Sequence, residues 1–306
     1  MNVLTRSGFA CIVGRPNVGK STLINALVGE KIAITSDRPQ TTRHTIRGIV
    51  TKPKGQLILV DTPGIHRPRT LLGERLNALV AQTWAEVDVI VMCFPANEPI
   101  GPGDRFIAEQ IAQLPKVKKI AVVTKVDSAD KETVGKQLLS VSELGNELGI
   151  DWEQIVPISA LTGIQIELLS DLILDQLPEG ELLYPAGDLT DEPEQVLVAE
   201  LIREAVLEDV HDELPHSIAV VIEEMGLRKD RSADNPLIDI FAVIFVERES
   251  QKHIVIGKNG SRLKEVGTTA RLAIAKMLGT PVFLDLRVKV AKDWQRDPKQ
   301  LNRLGF

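Results

Sequence analysis

Eight residues constrain this chain more than any others: Gly14-Arg15-Pro16-Asn17-Val18-Gly19-Lys20-Ser21, set between the apolar run Phe9 to Val13 and the helix-like run Thr22 to Leu27. Strand, glycine loop and helix in that order make a phosphate cradle, because the backbone N–H groups of such a loop face inward. Lys20 can then reach the β and γ phosphates, and the Ser21 hydroxyl can take a Mg²⁺ coordination position. Chance would produce the pattern roughly 0.01 times in a chain this long, so an ordinary βα turn is the weaker reading. Gly14, Arg15, Pro16, Asn17, Val18, Gly19, Lys20, Ser21 and Thr22 are the expected phosphate-binding residues.

With 306 residues, 43% apolar and 25% charged, the chain is long enough for two ordinary globular domains. No run approaches the ~20 apolar residues that span a bilayer, and no signal or transit stretch opens the sequence, which predicts a cytoplasmic protein. Cys11 and Cys93 lie in apolar strand-like runs without Cys or His at metal spacing, and are expected to be buried structural thiols. The net charge of −6 is unevenly spread. Glu179 to Glu213 carries twelve acidic residues against the single base Arg203, whereas Lys252 to Phe306 carries twelve Lys and Arg against four acids. A locally basic C-terminal end keeps nucleic acid among the partners.

From residue 8 to about 177, strand and helix signals alternate. Phe9–Val13, Thr45–Val50, Gln56–Val60, Val87–Phe94, Lys119–Thr124 and Gln154–Ile158 read as strands. Ser21–Val28, Leu71–Thr83, Asp104–Gln113, Lys131–Leu148 and Ile164–Leu177 read as helices. That is an α/β, doubly wound, mostly parallel sheet; the Lys52-Pro53-Lys54-Gly55 turn adds one antiparallel edge strand. The expected domains are 1–178, a linker over 179–193 punctuated by Pro185, Gly187 and Pro193, and 194–306. The last part reads as an α+β unit: helix Gln195–Asp209, strands Ser217–Glu224 and Leu237–Glu247, a short apolar run, helix Ser261–Leu278, strand Val282–Val290 and a polar tail.

A phosphate loop alone leaves kinase, ATPase and GTPase open. Asp61-Thr62-Pro63-Gly64 ends a strand, where the carboxylate can hold Mg²⁺ through water and the Gly64 N–H can face the γ-phosphate. Thr124-Lys125-Val126-Asp127 ends another. Guanine presents N1–H and N2–H₂ donors side by side, which one fixed carboxylate accepts; adenine lacks that pair. Asp127 is therefore the expected guanine reader, with the Lys125 stem over the base face. Ser159-Ala160 follows the next strand, where a backbone N–H can meet guanine O6.

Taken together, the motifs resemble those of the Era-type ribosome-associated GTPases. The resemblance implies that Ile34 to Arg43 is the first switch and that Thr42, or else Thr41, completes the Mg²⁺ shell when GTP is bound. Two positions depart from related patterns. Thr124 stands where an asparagine is usual, with the expected loss of a loop-bracing hydrogen bond, and Ile65 stands where Ras-like proteins place a water-orienting glutamine. The resemblance implies that Asn17, at its place in the phosphate loop, helps coordinate K⁺; Asn17, Lys20, Thr42 and Gly64 are the catalytic set it implies, hydrolysing GTP to GDP slowly without a partner.

Gly257-Lys258-Asn259-Gly260 lies between helical segments, preceded by Ile254, Val255 and Ile256 and followed by Arg262 and Lys264. Glycines there let a nucleic-acid backbone approach, and cations offset its phosphates. The order of elements resembles a type II KH domain, with Ile256, Gly257, Lys258, Asn259, Gly260, Arg262 and Lys264 as expected RNA contacts. Arg287, Lys289, Lys292, Arg296, Lys299 and Arg303 form either a second RNA-facing strip or a solvated tail, and Trp294 either stacks on a base or pins that tail. The resemblance implies a monomer that binds the 3′ region of small-subunit ribosomal RNA in 30S assembly, with peripheral contact to the inner membrane face. A signalling switch that docks a protein or membrane surface through the C-terminal module is the alternative.

Overall fold

The computed structural model describes residues 5–35, 45–64, 70–208, 217–232 and 234–306. They fall into two compact units, the last stretch of the first ending at Asp191 and that of the second running from Glu192 to Phe306. In the first, β1 (Arg6–Val13), β2 (Ile46–Lys52), β3 (Gly55–Asp61), β4 (Val89–Pro95), β5 (Lys118–Thr124) and β6 (Gln154–Pro157) form one sheet in the order β2-β3-β1-β4-β5-β6. Every pairing in it is parallel except β2 with β3, the edge hairpin expected from the Lys52–Gly55 turn.

Burial on both faces explains why these strands read as unbroken apolar runs. Ala10, Ile12, Val89, Val91, Ile120 and Val122 face one layer with α1 (Lys20–Val28) and α5 (Ile166–Asp175). Their neighbours Cys11, Val13, Ile90, Met92, Ala121 and Val123 face the other, with α2 (Leu71–Glu86), α3 (Pro102–Ala112) and α4 (Lys131–Leu148). The strand period of two distributes one sequence over two cores. Cys11 and Cys93 are free and buried, and desolvation pushes both thiols up to about 12.

The acidic stretch read as a linker is laid against the sheet edge. Ile49 N–H on β2 donates to Leu189 O at 2.8 Å, and Arg47 reaches Asp191 at 2.9 Å. The buried Gln56 accepts from Leu183 N and Tyr184 N and donates to Tyr184 O. An edge strand leaves alternate backbone groups unpaired, and this segment satisfies some of them.

The second unit contains α6 (Glu194–Leu207), β7 (Ala219–Leu227), β8 (Ile238–Val246), α7 (Glu249–Ile256), α8 (Ser261–Leu278) and β9 (Val282–Val290). The sheet order is β7-β8-β9, with β7 antiparallel and β9 parallel to β8. Ile240, Ala242, Ile244 and Val246 pack with Val198, Ile202 and Val206 of α6 and with Val266, Ala270 and Ile274 of α8.

The C-terminal tail is not the polar appendage that its composition suggests. A short α9 (Pro298–Arg303) starts at Asp297, whose carboxylate accepts from Lys299 N, and buries Leu301. Trp294 is fully buried, donates its indole N–H to Ser217 O at 3.1 Å and stacks on Phe306 with centroids 5.5 Å apart. Hydrophobic spacing is too short in this segment to show a helix, and one Trp supplies the anchor.

Trp294→Ala is expected to destabilise the second unit by about 3–5 kcal/mol, as for other large-to-small changes at buried aromatic positions, measured by urea unfolding. A disulfide reagent at pH 8 should modify neither cysteine in the folded protein and both in guanidinium, since the thiols are buried and their pKa lies near 12.

Candidate nucleotide site and nucleic-acid interface

Because β1, β3, β4, β5 and β6 run parallel, their C-terminal ends share one edge, which is where open α/β sheets bind ligands. The loop after β1 turns back through Gly14 at φ 150°, Asn17 at φ 65° and Gly19 at φ 98°. At Gly14 a Cβ would lie 2.9 Å from Cys93 O and from the Val18 side chain, so only glycine fits. No side chain caps α1 at Gly19, which leaves its first-turn N–H groups for an anion.

Three side chains brace the loop through its carbonyls. Lys20 Nζ donates to Arg15 O at 2.9 Å, Lys125 Nζ to Asn17 O at 2.7 Å, and Thr124 Oγ1 to Val18 O at 2.7 Å. The Thr124 bond corrects the expectation from sequence: a hydroxyl at this position reaches the loop and makes the brace. Burial holds the Lys20 ammonium below the usual lysine range, and the nearby Asp61 carboxylate opposes that shift.

Ser21 Oγ donates to Asp61 Oδ2 at 2.9 Å, bringing the two expected metal-binding groups together from α1 and β3. Both are hard oxygen donors, suited to Mg²⁺ with phosphate and water completing an octahedron. Thr62 is buried, its hydroxyl 3.6 Å from Cys11 Sγ, and Gly64 approaches Pro16, to which an added Cβ would come within 3.8 Å. Thr41, Thr42 and Ile65 lie outside the described residues.

The base-reading end is built from β5 and β6. Lys125 takes φ 59°, and Val126–Ser128 forms one 3-10 turn that leaves Asp127 exposed. Val126 N donates to Ile158 O, tying this turn to the next strand end. Ser159 is fully buried; its N–H donates to Ile164 O and its hydroxyl accepts from Thr162 N. Of the Ser159-Ala160 pair, the serine therefore shapes the turn.

The Arg15 side chain turns to carboxylates of the protein. Its guanidinium is engaged by Glu98 and Asp104, partners that sequence reasoning missed. The only sequence signal for them was the helix start Gly101-Pro102-Gly103-Asp104, where the Asp104 carboxylate accepts from Gly101 N.

In the second unit, α7 leads through Gly257 at φ 73°, Asn259 at φ 54° and Gly260 at φ 78° into α8. A Cβ at Gly257 would fall 2.7 Å from Arg262 Cβ, so the close approach of the turn to α8 requires glycine there. Lys258, Asn259 and Lys264 are exposed around it, and Ile256 and Arg262 are half-buried. Two of the more distant cations are paired: Arg287 with Asp285, and Lys289 with Glu223. Trp294 pins the tail, as its burial requires.

Family models described as "50S ribosome-binding GTPase" and "KH domain" match residues 9–125 and 213–295. GTPase Era of Streptomyces coelicolor is 67% identical over 98% of this chain and 95% of its own length; that of Mycolicibacterium smegmatis is 64% identical over 98% and 99%. A crystal structure of Era with MgGDPNP and nucleotides 1506–1542 of 16S ribosomal RNA superposes with TM-score 0.90 at 39% identity, covering 98% and 99% of the two chains. A point variant of Aquifex aeolicus Era bound to GDP·AlF4⁻ does so with TM-score 0.91 at 38% identity and the same coverage. With a phosphate loop, a guanine motif and a KH turn on a chain this similar to them along nearly its whole length, the protein belongs to the Era family of GTPases.

Proposed function

We propose that this GTPase binds the 3′ region of small-subunit ribosomal RNA through its KH turn and acts in 30S subunit assembly. The observation that carries this reading is the similarity, over 98% of the chain, to a protein solved with MgGDPNP and 16S ribosomal RNA nucleotides together.

The residue roles follow from the chemistry at the sheet edge. Backbone N–H groups from Gly14 to Thr22 hold the phosphates and Lys20 balances their charge. Ser21 and Asp61 hold Mg²⁺, with Thr42 joining them when GTP is bound. Bound Mg²⁺ supplies charge neutralisation across the β and γ phosphates. Asp127 accepts from guanine N1 and N2, Lys125 covers the ring, and Ala160 N–H meets O6 because the Ser159 N–H is used within the turn. The Gly64 N–H faces the γ-phosphate, and the Asn17 amide oxygen takes K⁺, whose charge replaces an arginine finger. Ile256, Gly257, Lys258, Asn259, Gly260, Arg262 and Lys264 contact the RNA. The protein works as a monomer in the cytoplasm, with peripheral contact to the inner face of the cell membrane; among the described residues no helix is long and apolar enough to cross a membrane.

Asp127→Asn is expected to weaken GDP binding about 100-fold, the loss of two charge-assisted hydrogen bonds, and to improve binding of xanthosine diphosphate, whose ring carbonyl accepts from the new amide. Thr124→Val should release GDP about tenfold faster by orphaning the Val18 carbonyl, with Thr124→Ser close to wild type. Displacement of a fluorescent GDP analogue measures both.

For the RNA half, filter binding of a single-stranded copy of the small-subunit 3′ end should weaken with salt. Removing Lys258 and Lys264 together should lower the slope of log K against log salt by about 1.4, at ~0.7 per cation. Single-turnover GTP hydrolysis should run faster in K⁺ than in Na⁺ and faster again with that RNA. Equal rates in the two ions would remove the role given to Asn17, and indifference to RNA sequence would favour a protein-docking switch.

A further inference from the structure

The β4–α3 connection and the first turn of α3 each carry a carboxylate that the nucleotide motifs leave unused. Both end on the guanidinium of Arg15, the second residue of the phosphate loop. Arg15 Nη2 donates to Glu98 Oε2 at 2.6 Å, and Nε donates to Asp104 Oδ1 at 3.2 Å. Asp104 is 1% exposed and is itself held, since its other oxygen accepts from Gly101 N at 2.9 Å in the first turn of α3. The backbone at Glu98 is held too: the buried Gln137 of α4 donates to Glu98 O at 3.0 Å and to Pro95 O at 3.1 Å. Gly103 in that first turn of α3 lies alongside the Arg15 side chain, where an added Cβ would make ordinary contact at 3.9 Å. On the loop side, the Arg15 carbonyl accepts from Lys20 Nζ at 2.9 Å.

We propose that Glu98 and Asp104 clamp the phosphate loop through Arg15, making all three positioning residues for the nucleotide, with Arg15 anchoring the loop and making no side-chain contact with phosphate. This rests on the assignment of the loop as the GTP and GDP site.

Two physical effects run through the clamp. A guanidinium fixed by a nearly buried carboxylate fixes the backbone that carries it, and with that backbone the carbonyl that orients Lys20. Arg15 also neutralises carboxylates that would otherwise repel phosphate near a site built for anions. Losing Arg15 therefore removes an anchor and exposes two negative charges, whereas losing Glu98 removes one weak, partly solvated anchor point. The two losses are coupled, and removing Glu98 as well relieves part of what the loss of Arg15 causes.

The test is the rate of GDP release from the full chain in Mg²⁺, followed with a fluorescent GDP analogue. Arg15→Ala should speed release about 30-fold, Asp104→Asn about tenfold and Glu98→Gln about threefold, in line with a nearly buried charged hydrogen bond against a partly exposed one. Arg15→Lys, which keeps the charge and can reach one carboxylate, should fall between wild type and Arg15→Ala. The double variant Arg15→Ala with Glu98→Gln should release GDP no faster than Arg15→Ala alone. Asp104 also closes the start of α3, so its variant can fail through folding; Glu98→Gln keeps that turn intact and should melt within about 2 °C of wild type. Multiplicative effects in the double variant, or single variants that all release GDP at the wild-type rate, would overturn the clamp. Wild-type protein that does not bind GDP would overturn the nucleotide assignment instead.

Discussion

A phosphate loop must expose N–H groups while using almost none of them itself, and this one holds that shape through hydrogen bonds to its carbonyls. Lys20 takes Arg15 O, Lys125 takes Asn17 O and Thr124 takes Val18 O. Turning the acceptors outward to protein donors leaves the amides for an anion. The loop also holds Asn17 in the left-handed region, which is unfavourable for an isolated non-glycine residue and persists only where the surroundings determine it. The braces come from α1 and from the end of β5, so the strand end that carries Asp127 also holds the loop. The loop and the turn at 126–128 are therefore mechanically joined at Thr124 and Lys125.

The strand order makes this joint bracing possible. β1 lies between β3 and β4, and β5 follows β4, so the residues after three parallel strands converge on the loop. Register does the rest: Ile12 pairs with Asp61 on one side and with Val91 on the other, while Phe94 sits beside Val123. A shift of one residue at β3 would turn Asp61 to the opposite face and part it from Ser21. Two dry cores on either side of the sheet oppose such a slip, since each strand position is assigned to one core or the other.

The KH turn solves a different problem with the same residue type. Gly257 and Gly260 bend the chain through positive φ between two helices, while Lys258, Asn259 and Lys264 stay exposed around the turn. The glycine backbone offers close approach and the cations offer charge, a combination suited to a phosphodiester strand. Two of the three glutamates of α6 have partners inside this unit. Arg203 is buried on Glu200, and Glu204 accepts from Thr35 N.

Local sequence determined the elements and their chemistry. Alternating apolar runs marked the strands, and the bounds of α4, α8 and β9 match those expected from periodicity. The glycine spacing, Asp61 and Asp127 named the nucleotide motifs because each lies within a few residues of its own strand end. Tertiary structure decided what depended on partners distant in the chain. The Thr124 brace joins residues 106 apart, the Arg15 contacts span 83 and 89, and Trp294 closes on Ser217 across 77. The segment 180–191 looks like a free linker because glycine and proline punctuate it and its apolar residues show no helix or strand period, yet edge-strand hydrogen bonding holds it. Hydrogen bonds to backbone carbonyls leave almost no trace in composition, since any donor of the right length can make them. They become visible only when the fold has brought the two stretches together.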